Sequence, residues 1–256
     1  MSANGSILLP AMGRGNGLGP EAPHPGQTIL VAGGAGYIGS VLIPRLLVRG
    51  YKVRLLDRLY FGEGALADFR ERIELVVADV RDIPSDALDG VDGVINLSGL
   101  SNDPTAEFDP EANWQMNAIA TETLGRMCVE RGISRYVFAS SCSLYDGMPP
   151  GMHDETADIQ PRAAYATSKR YGEERLLEMV DDGLCPVLLR NGTVYGYSPR
   201  TFSAGASNAA IIASETSRTS TSGRHIQPPP CSMSLLLSRA SLVNVLTTRS
   251  KRIRGE

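Results

Sequence analysis

The chain has 256 residues, of which 42% are hydrophobic and 21% charged, and its formal net charge is −3. This length and composition are enough to bury a globular core, and the weak negative charge argues against a nucleic-acid partner, which needs a concentrated basic face. No apolar stretch approaches the roughly 18 residues of a membrane span, and the N-terminus lacks the basic start and apolar run of a signal peptide. A cytoplasmic protein with no membrane partner is the simplest interpretation.

The predicted elements begin after a polar N-terminal segment. Residues 1–27 are rich in glycine, proline and asparagine, and we expect them to form a flexible leader. From residue 28 onward, short apolar runs alternate with helical segments, which predicts an α/β fold with a doubly wound parallel sheet of the Rossmann type. The predicted strands are Thr28–Ala32, Lys52–Asp57, Ile73–Ala78, Gly93–Leu97, Arg135–Ala139 and Pro186–Arg190, and the predicted helices span about 36–49, 111–131 and 163–181.

Residues 201–256 differ in composition from the rest of the chain. They carry seven basic residues against two acidic ones, a run dense in serine and threonine from Ser214 to Arg224, and three successive prolines from Pro228 to Pro230. Only one apolar helix is indicated there, around Leu235 to Leu246. We therefore expect residues 28–200 to form the folded dinucleotide-binding domain and the remainder to be an atypical, poorly ordered tail.

A glycine-rich turn joins the first predicted strand to the first helix. In its Gly33-x-x-Gly36-x-x-Gly39 pattern, the first glycine permits a tight turn, the second a close approach of a pyrophosphate, and the third close packing of helix on strand. Tyr37 and Ile38 lie in the same turn, where free N–H groups at the helix N-terminus favour phosphate binding. A glycine-rich turn without a ligand is the alternative, because the pattern alone is weak.

Two acidic residues at strand ends extend the predicted cofactor site. Asp57 ends the second strand about 20 residues after the turn, where an acid accepts hydrogen bonds from the adenosine ribose and favours NAD over NADP. The adjacent Arg58 works against this preference, because an arginine there accommodates a 2′-phosphate. Asp79, followed by Val80, is placed to receive the adenine amino group. Each acid has the alternative interpretation of a surface residue.

Tyr165 and Lys169 are the candidate catalytic pair. They lie four residues apart on a predicted helix, so both side chains share one face. An ammonium beside a phenol lowers the phenol pKa from about 10 toward neutrality and makes a general base. Ser140, Ser141 and Ser143 follow the fifth strand, at the sheet edge where such folds bind ligands. The alternatives are a helix surface pair and serines that cap loop backbone.

These pieces together resemble the extended short-chain dehydrogenase/reductase superfamily, specifically its NAD-dependent epimerase/dehydratase family. The resemblance covers about residues 28–200 and rests on the glycine turn, Asp57, Asp79-Val80, Ser140 to Tyr145, Tyr165-x-x-x-Lys169 and Leu189 to Gly196. It implies a nucleotide-sugar substrate and NAD as cofactor. It also implies that Tyr165 as phenolate removes a proton from a sugar hydroxyl while hydride passes to the nicotinamide. The keto-sugar is then reduced from its other face or released.

The resemblance also implies roles for neighbouring residues. Lys169 holds the cofactor ribose and keeps Tyr165 ionised, Ser141 takes the catalytic hydroxyl role, and Asn117 matches the family's helix asparagine near the active site. The two long helices match those through which the family commonly dimerises, so a homodimer is expected.

Two departures from the family pattern sharpen the expected function. Where dehydratases of the family place a glutamate, this chain has Cys142-Ser143, so 4,6-dehydration is disfavoured and epimerase or dehydrogenase/reductase chemistry remains. After Gly196 the family continues with a strand and a small substrate-binding lobe, neither of which is recognisable here. We expect a chain truncated or altered near Arg200. The alternatives are an NAD-binding module impaired by the missing lobe and a structural protein whose glycine turn is coincidental.

The remaining candidate ligands form no pattern. Neither a metal site nor a disulfide framework is indicated, because the cysteines and histidines are far apart in sequence. These residues are Cys128, Cys142, Cys185, Cys231, His24, His153 and His225.

Overall fold

A computed structural model of the protein describes residues 26–149 and 151–200. Most of the expected leader and all of the expected tail, with Cys231, His24 and His225, lie outside the described residues.

Within the described residues, six strands form one parallel sheet in the order β3-β2-β1-β4-β5-β6. The strands are β1 Thr28–Ala32, β2 Lys52–Asp57, β3 Glu74–Val77, β4 Gly93–Asn96, β5 Arg135–Ser141 and β6 Cys185–Asn191. The direction in which the sheet grows reverses between β1 and β4, which opens a crevice at the carboxyl ends of these strands. The predicted doubly wound, Rossmann-type parallel sheet is confirmed.

Apolar side chains of β1 alternate between two buried cores, one on each face of the sheet. Ile29 and Val31 pack with Leu42, Ile43 and Leu46. Leu30 and Ala32 face the opposite core, which contains Leu124 and Leu176. Side chains of a strand point alternately to the two faces of the sheet, so a strand covered on both faces needs apolar residues at every position. This explains the unbroken apolar run from which β1 was predicted.

The helices flank the sheet. They are α1 Gly39–Val48, α2 Asp103–Phe108, α3 Pro110–Asn113, α4 Ala120–Glu130 and α5 Ala164–Glu178, and a π-helical segment, Trp114–Ile119, joins α3 to α4. The predicted helix over about 111–131 is correct in extent but contains this wider turn. α1 starts three residues later than predicted, because residues 33–38 form the tight turn that precedes it.

Helix α2 was not predicted from the sequence. Its six residues are too few to show a helical period. It is set by local chemistry instead: the Asn102 side chain accepts a hydrogen bond from the Thr105 N–H at 2.9 Å, and Pro104 lies in the first turn.

Within the described part of the chain, no helix is both long and apolar enough to cross a membrane. The same residues contain no cluster of three or more histidine, cysteine, aspartate or glutamate side chains suited to a metal ion.

Candidate active site

The glycine turn has a backbone geometry that only glycine satisfies. Gly33 adopts a φ of +75°, and a Cβ there would lie 2.8 Å from the Ser98 backbone. A Cβ on Gly39 would lie 2.3 Å from the Gly34 carbonyl oxygen. Atoms do not approach this closely, so the turn and the start of α1 depend on these two glycines.

The N-terminus of α1 is open to an anion. No side chain within residues 26–149 and 151–200 caps its first N–H groups, and its first turn contains no acidic residue. The backbone of Tyr37 and Ile38 leads into this turn, and the Ser40 N–H bonds to the Gly36 carbonyl at 3.0 Å. Uncapped N–H groups and the positive end of the helix dipole make this a suitable site for a pyrophosphate.

Asp57 is held against the turn by two backbone N–H groups. Its carboxylate accepts from Ala35 at 3.0 Å and from Leu59 at 2.8 Å. The carboxylate is therefore fixed beside the glycine turn, on the side where a ribose would reach it. The residues present fit a bound dinucleotide, because the start of α1 suits its phosphates and Asp57 suits its ribose.

Asp79 lies just past β3 and is paired with two arginines. Arg81 bonds it at 2.8 and 2.9 Å, and Arg58 lies 3.2 Å away. The Arg81 hydrogen bond is the main cause that lowers the Asp79 pKa to about 2. Arg58 is thus drawn to Asp79, and the following Val80 is buried.

Residues near the end of the described chain cover the turn, which the sequence analysis did not foresee. The Tyr37 hydroxyl donates to the Gly196 carbonyl. The hydroxyls of Ser40 and Ser198 lie 2.9 Å apart, and Ser198 also donates to the Tyr37 carbonyl at 2.9 Å. The predicted role of Tyr37 in the turn therefore involves a link to the chain beyond β6.

The structure brings together the three predicted catalytic residues. Tyr165 and Lys169 lie on the first half of α5, both buried, and Ser141 ends β5 within hydrogen-bonding reach of the Tyr165 hydroxyl. The Lys169 Nζ stands over the rings of Phe138 and Tyr165, 4.8 and 5.8 Å from their centroids. All three lie at the carboxyl edge of the sheet.

The electrostatics of the pair differ from the expectation. Burial raises the pKa of the Tyr165 phenol, the acidic groups of Asp103 and Cys142 add to this, and the hydrogen bond with Ser141 opposes it. Burial also lowers the pKa of Lys169 to about 8. The predicted lowering of the phenol pKa toward neutrality is therefore not found, because desolvation by burial is the largest cause of the shift and raises the pKa.

The serines at the end of β5 differ in their hydrogen bonding. The Ser141 hydroxyl accepts from the Ser143 N–H at 3.1 Å, which caps a short 3₁₀ helix, Cys142–Tyr145. The buried Ser140 hydroxyl has no hydrogen-bond partner among the described residues. Cys142 and Ser143 occupy the turn itself.

Asn117 links the π-helical segment to the site. Its amide donates to the Leu100 carbonyl at 3.0 Å and to Asn113 at 2.7 Å. Asn113 in turn accepts from Ser168, which also bonds the Tyr165 carbonyl at 2.7 Å. The helix that carries the predicted catalytic pair is thereby tied to the π-helical segment.

Sequence reasoning missed a buried ion pair and a carboxyl group near the site. The Glu173 side chain is 1% exposed, and its carboxylate accepts hydrogen bonds from Nε and Nη2 of Arg190 on β6. The shortest of these bonds, from Nη2, is 2.8 Å. Asp103, at the start of α2, has a raised pKa because of burial and the charges of Asp146 and Glu107. The sequence offered one clue to the ion pair: Glu173 follows Lys169 by four residues, so the two share a face of the predicted helix.

This sheet order, with a glycine turn after β1 and a Ser, Tyr and Lys group at the carboxyl edge, is that of the extended short-chain dehydrogenase/reductases. The profile of the NAD dependent epimerase/dehydratase family matches residues 29–221. The chain belongs to that family. The family depends on NAD, which is the cofactor predicted from Asp57. The match also continues past Arg200, into the stretch that composition sets apart.

Individual relatives agree with the family. The chain is 32% identical over 180 residues to a UDP-glucose 4-epimerase of Lacticaseibacillus casei, covering 68% of this chain and 53% of that protein. It is 31% identical over 145 residues to the Corynebacterium glutamicum enzyme of the same name, covering 55% and 43%. The chain spans about half the length of the curated relatives it matches.

The fold agrees with a solved structure as well. The Thermus thermophilus UDP-glucose 4-epimerase in complex with NAD superposes with a TM-score of 0.61 at 29% identity, over 73% of this chain and 61% of that one.

Proposed function

We propose that this chain is an NAD-dependent epimerase, or a dehydrogenase/reductase, of a nucleotide sugar, with Tyr165 as general base. The observation that carries the proposal is the joint placement of Ser141, Tyr165 and Lys169 beside a glycine turn with a fixed Asp57. A phenol, a hydroxyl and an amine at one sheet edge are the groups that oxidation of a sugar alcohol requires.

The cofactor is held by groups in the first half of the sheet. The N–H groups just before α1, at Tyr37 and Ile38, bind the pyrophosphate that Gly36 lets approach closely, and Asp57 accepts from the adenosine ribose. Asp79 and Val80 border the adenine. When bound, NAD supplies the hydride acceptor and, in its oxidised form, a positive charge that favours the phenolate.

The catalytic residues bind the sugar and move its proton. The Ser141 hydroxyl hydrogen-bonds the reacting sugar hydroxyl and orients it toward Tyr165, whose phenolate accepts its proton as the carbonyl forms. Lys169 binds the nicotinamide ribose and stabilises the phenolate. Since its pKa is about 8, Lys169 is mostly charged at neutral pH and can do so. Reduction of the keto-sugar from its opposite face completes epimerisation.

Elimination of water is not part of this proposal. Cys142 and Ser143 follow Ser141 and carry no carboxyl group to remove a carbon-bound proton or to protonate a leaving hydroxyl. Product analysis distinguishes the two reactions, because a 4,6-dehydratase yields a 6-deoxy-4-keto sugar and an epimerase yields two epimers.

The test is turnover by the purified full chain. Supplied with NAD and UDP-, GDP- and dTDP-hexoses, it is expected to form an epimer or keto-sugar, and Tyr165→Phe is expected to lose at least about 100-fold in rate with NAD affinity retained. Tyr171→Phe, on the same helix, is the control. Equal turnover in Tyr165→Phe would contradict the assignment.

A catalytically impaired NAD-binding module is the second candidate. It is favoured by the unusual composition of residues 201–256, where the family's substrate lobe would begin. This candidate predicts an NAD-dependent thermal shift without product from any nucleotide sugar.

We further propose a homodimer formed through α4 and α5, in the cytoplasm. Leu177 and Val180, at the end of α5 and just beyond it, are 52% and 47% exposed, which is unusual for aliphatic side chains beside a core helix. Light scattering is expected to give a dimer that Leu177→Glu converts to a monomer.

A further inference from the structure

Tyr145 lies where three elements of the site meet. It ends the 3₁₀ helix Cys142–Tyr145 that follows Ser141, and its hydroxyl makes two hydrogen bonds. It accepts one from Arg190 Nη1 at 2.8 Å and donates one to the Asp154 carbonyl at 3.1 Å. The hydroxyl therefore joins β6 to the middle of the 146–163 loop.

The arginine that holds Tyr145 is itself fixed. Arg190 Nε lies 3.1 and 3.2 Å from the two carboxylate oxygens of Glu173, and its Nη2 lies 2.8 Å from one of them. Glu173 belongs to α5, one helical turn after Lys169. Since a forked pair allows little freedom and this one is nearly excluded from water, Arg190 is a rigid anchor.

The anchor also lies opposite Ser140, the residue that precedes Ser141 on β5. In the β5–β6 ladder, Ser140 pairs with Arg190 and Ser141 pairs with Asn191. The 146–163 loop begins directly after Tyr145 and leads into α5, where Tyr165 lies on the first turn. A link from Arg190 through Tyr145 to Asp154 therefore ties Ser141 and Tyr165 to one fixed point.

We propose that Tyr145 is a positioning residue, whose hydroxyl holds the turn after β5 and the loop above it so that Ser141 stays hydrogen-bonded to Tyr165. This rests on the proposed function, in which Tyr165 is the general base. The Tyr145 ring also stacks on His153, with centroids 6.2 Å apart and planes at 11°. Removal of the hydroxyl alone leaves that ring contact in place.

The consequence for Tyr165 follows from the groups around its hydroxyl. Asp103 on α2 and Cys142 on the 3₁₀ helix disfavour the phenolate, and Lys169 lies over the ring. Among the residues that the structure describes, only the Ser141 bond lowers the Tyr165 pKa. Loss of that bond raises the pKa, so the base is active only at higher pH.

The decisive variant is Tyr145→Phe, with Tyr171→Phe as matched control. The Tyr171 hydroxyl also bonds a polar partner, Glu122, at 2.6 Å, but this partner lies on α4. Tyr145→Phe is expected to lower hydride-transfer kcat about 10-fold and to move the alkaline rise of the pH profile upward by about half a unit or more. NAD affinity is expected to change less than about 2-fold. An unmoved pH profile overturns the proposal.

A second readout needs no turnover. The carbon-13 resonance of Tyr165 Cζ, assigned by its loss in Tyr165→Phe, reports the hydrogen bonding of the phenol at neutral pH. Ser141→Ala sets the reference shift, and Tyr145→Phe is expected to move the resonance the same way while Tyr171→Phe leaves it unchanged. The proposal is overturned if Ser141→Ala moves the resonance and Tyr145→Phe does not, or if neither moves it. A wild-type chain that transfers no hydride refutes the proposed function, whereas this resonance still decides the role of Tyr145.

Discussion

The two halves of the sheet hold their polar groups by different means. In the half with β1, β2 and β3, the groups suited to a dinucleotide are backbone N–H groups and Asp57, positioned by glycine sterics. In the half with β4, β5 and β6, the groups suited to chemistry are buried side chains, among them Lys169 and Glu173. The first half therefore depends on shape, and the second on charges whose burial costs stability.

The largest effect is expected from Glu173→Gln in the second half. It leaves Arg190 without its carboxylate in a nearly dry site, so the free energy of unfolding should fall by about 3–5 kcal/mol. Urea denaturation measures the loss. Glu174→Gln is the matched control, because its pair with Arg170 is exposed and contributes about 1 kcal/mol or less. Equal losses in the two variants would show that burial of the pair is not important.

Lys169→Met should stabilise the protein while abolishing hydride transfer. The folded pKa of about 8 lies below the unfolded value near 10.4, so burial of the charged lysine costs stability below pH 8, and that cost disappears as pH rises to about 10. After the lost packing is allowed for, a gain of about 2 kcal/mol at pH 7 is expected from urea denaturation.

The matched control for Lys169→Met is Lys52→Met on exposed β2 surface, which should change stability by less than about 0.5 kcal/mol. A destabilised Lys169→Met protein would contradict the view that burial of charged side chains in the half with β4, β5 and β6 costs stability.

Gly39→Ala tests the steric requirement of the glycine turn, because it adds a methyl group and changes no charge. A Cβ there overlaps the Gly34 carbonyl, so a loss of about 1–3 kcal/mol and at least about 10-fold weaker NAD binding are expected. Gly64→Ala, where a Cβ meets open space, should change neither quantity. Isothermal titration and urea denaturation give the two numbers, and retained NAD affinity in Gly39→Ala would refute the steric account.

The smallest effect on stability is expected at Asp79, whose charge is paired with arginines in the half with β1, β2 and β3. Its folded pKa of about 2 lies below the unfolded value near 3.9, so its stabilisation is present above pH 4 and is lost as pH falls toward 2. Because both arginine partners are more than 40% exposed, about 1 kcal/mol is expected. Asp79→Asn should remove this acid-sensitive increment and Asp82→Asn should not, as followed by urea denaturation at pH 3 and 6.

The sequence predicted the regular part of the fold well, because burial on both faces makes each central strand an unbroken apolar run. β1 and β2 have the predicted bounds. β5 and β6 extend further than predicted, because Ser140 and Ser141 continue the ladder opposite Arg190 and Asn191 despite being polar. Such pairing depends on a partner strand that local patterns do not reveal.

The candidate site shows the same division. The proximity of Tyr165, Lys169 and Ser141 could be predicted because their spacing and order resemble a known family. The Glu173–Arg190 pair could not, because it joins residues of two elements through the packing of α5 on the sheet. The direction of the Tyr165 pKa shift could not be predicted either, because it depends on the burial of the phenol, and the spacing of residues in the sequence does not reveal burial.

The most direct test of the account is a single-turnover mixing of the NAD-loaded wild-type chain with UDP-, GDP- and dTDP-hexoses in turn, followed by the absorbance of the reduced nicotinamide. The account predicts a transient rise in the wild type with at least one of these sugars, no rise with that sugar in Tyr165→Phe, and the same NAD affinity in both. A rise of equal rate and amplitude in Tyr165→Phe would contradict it.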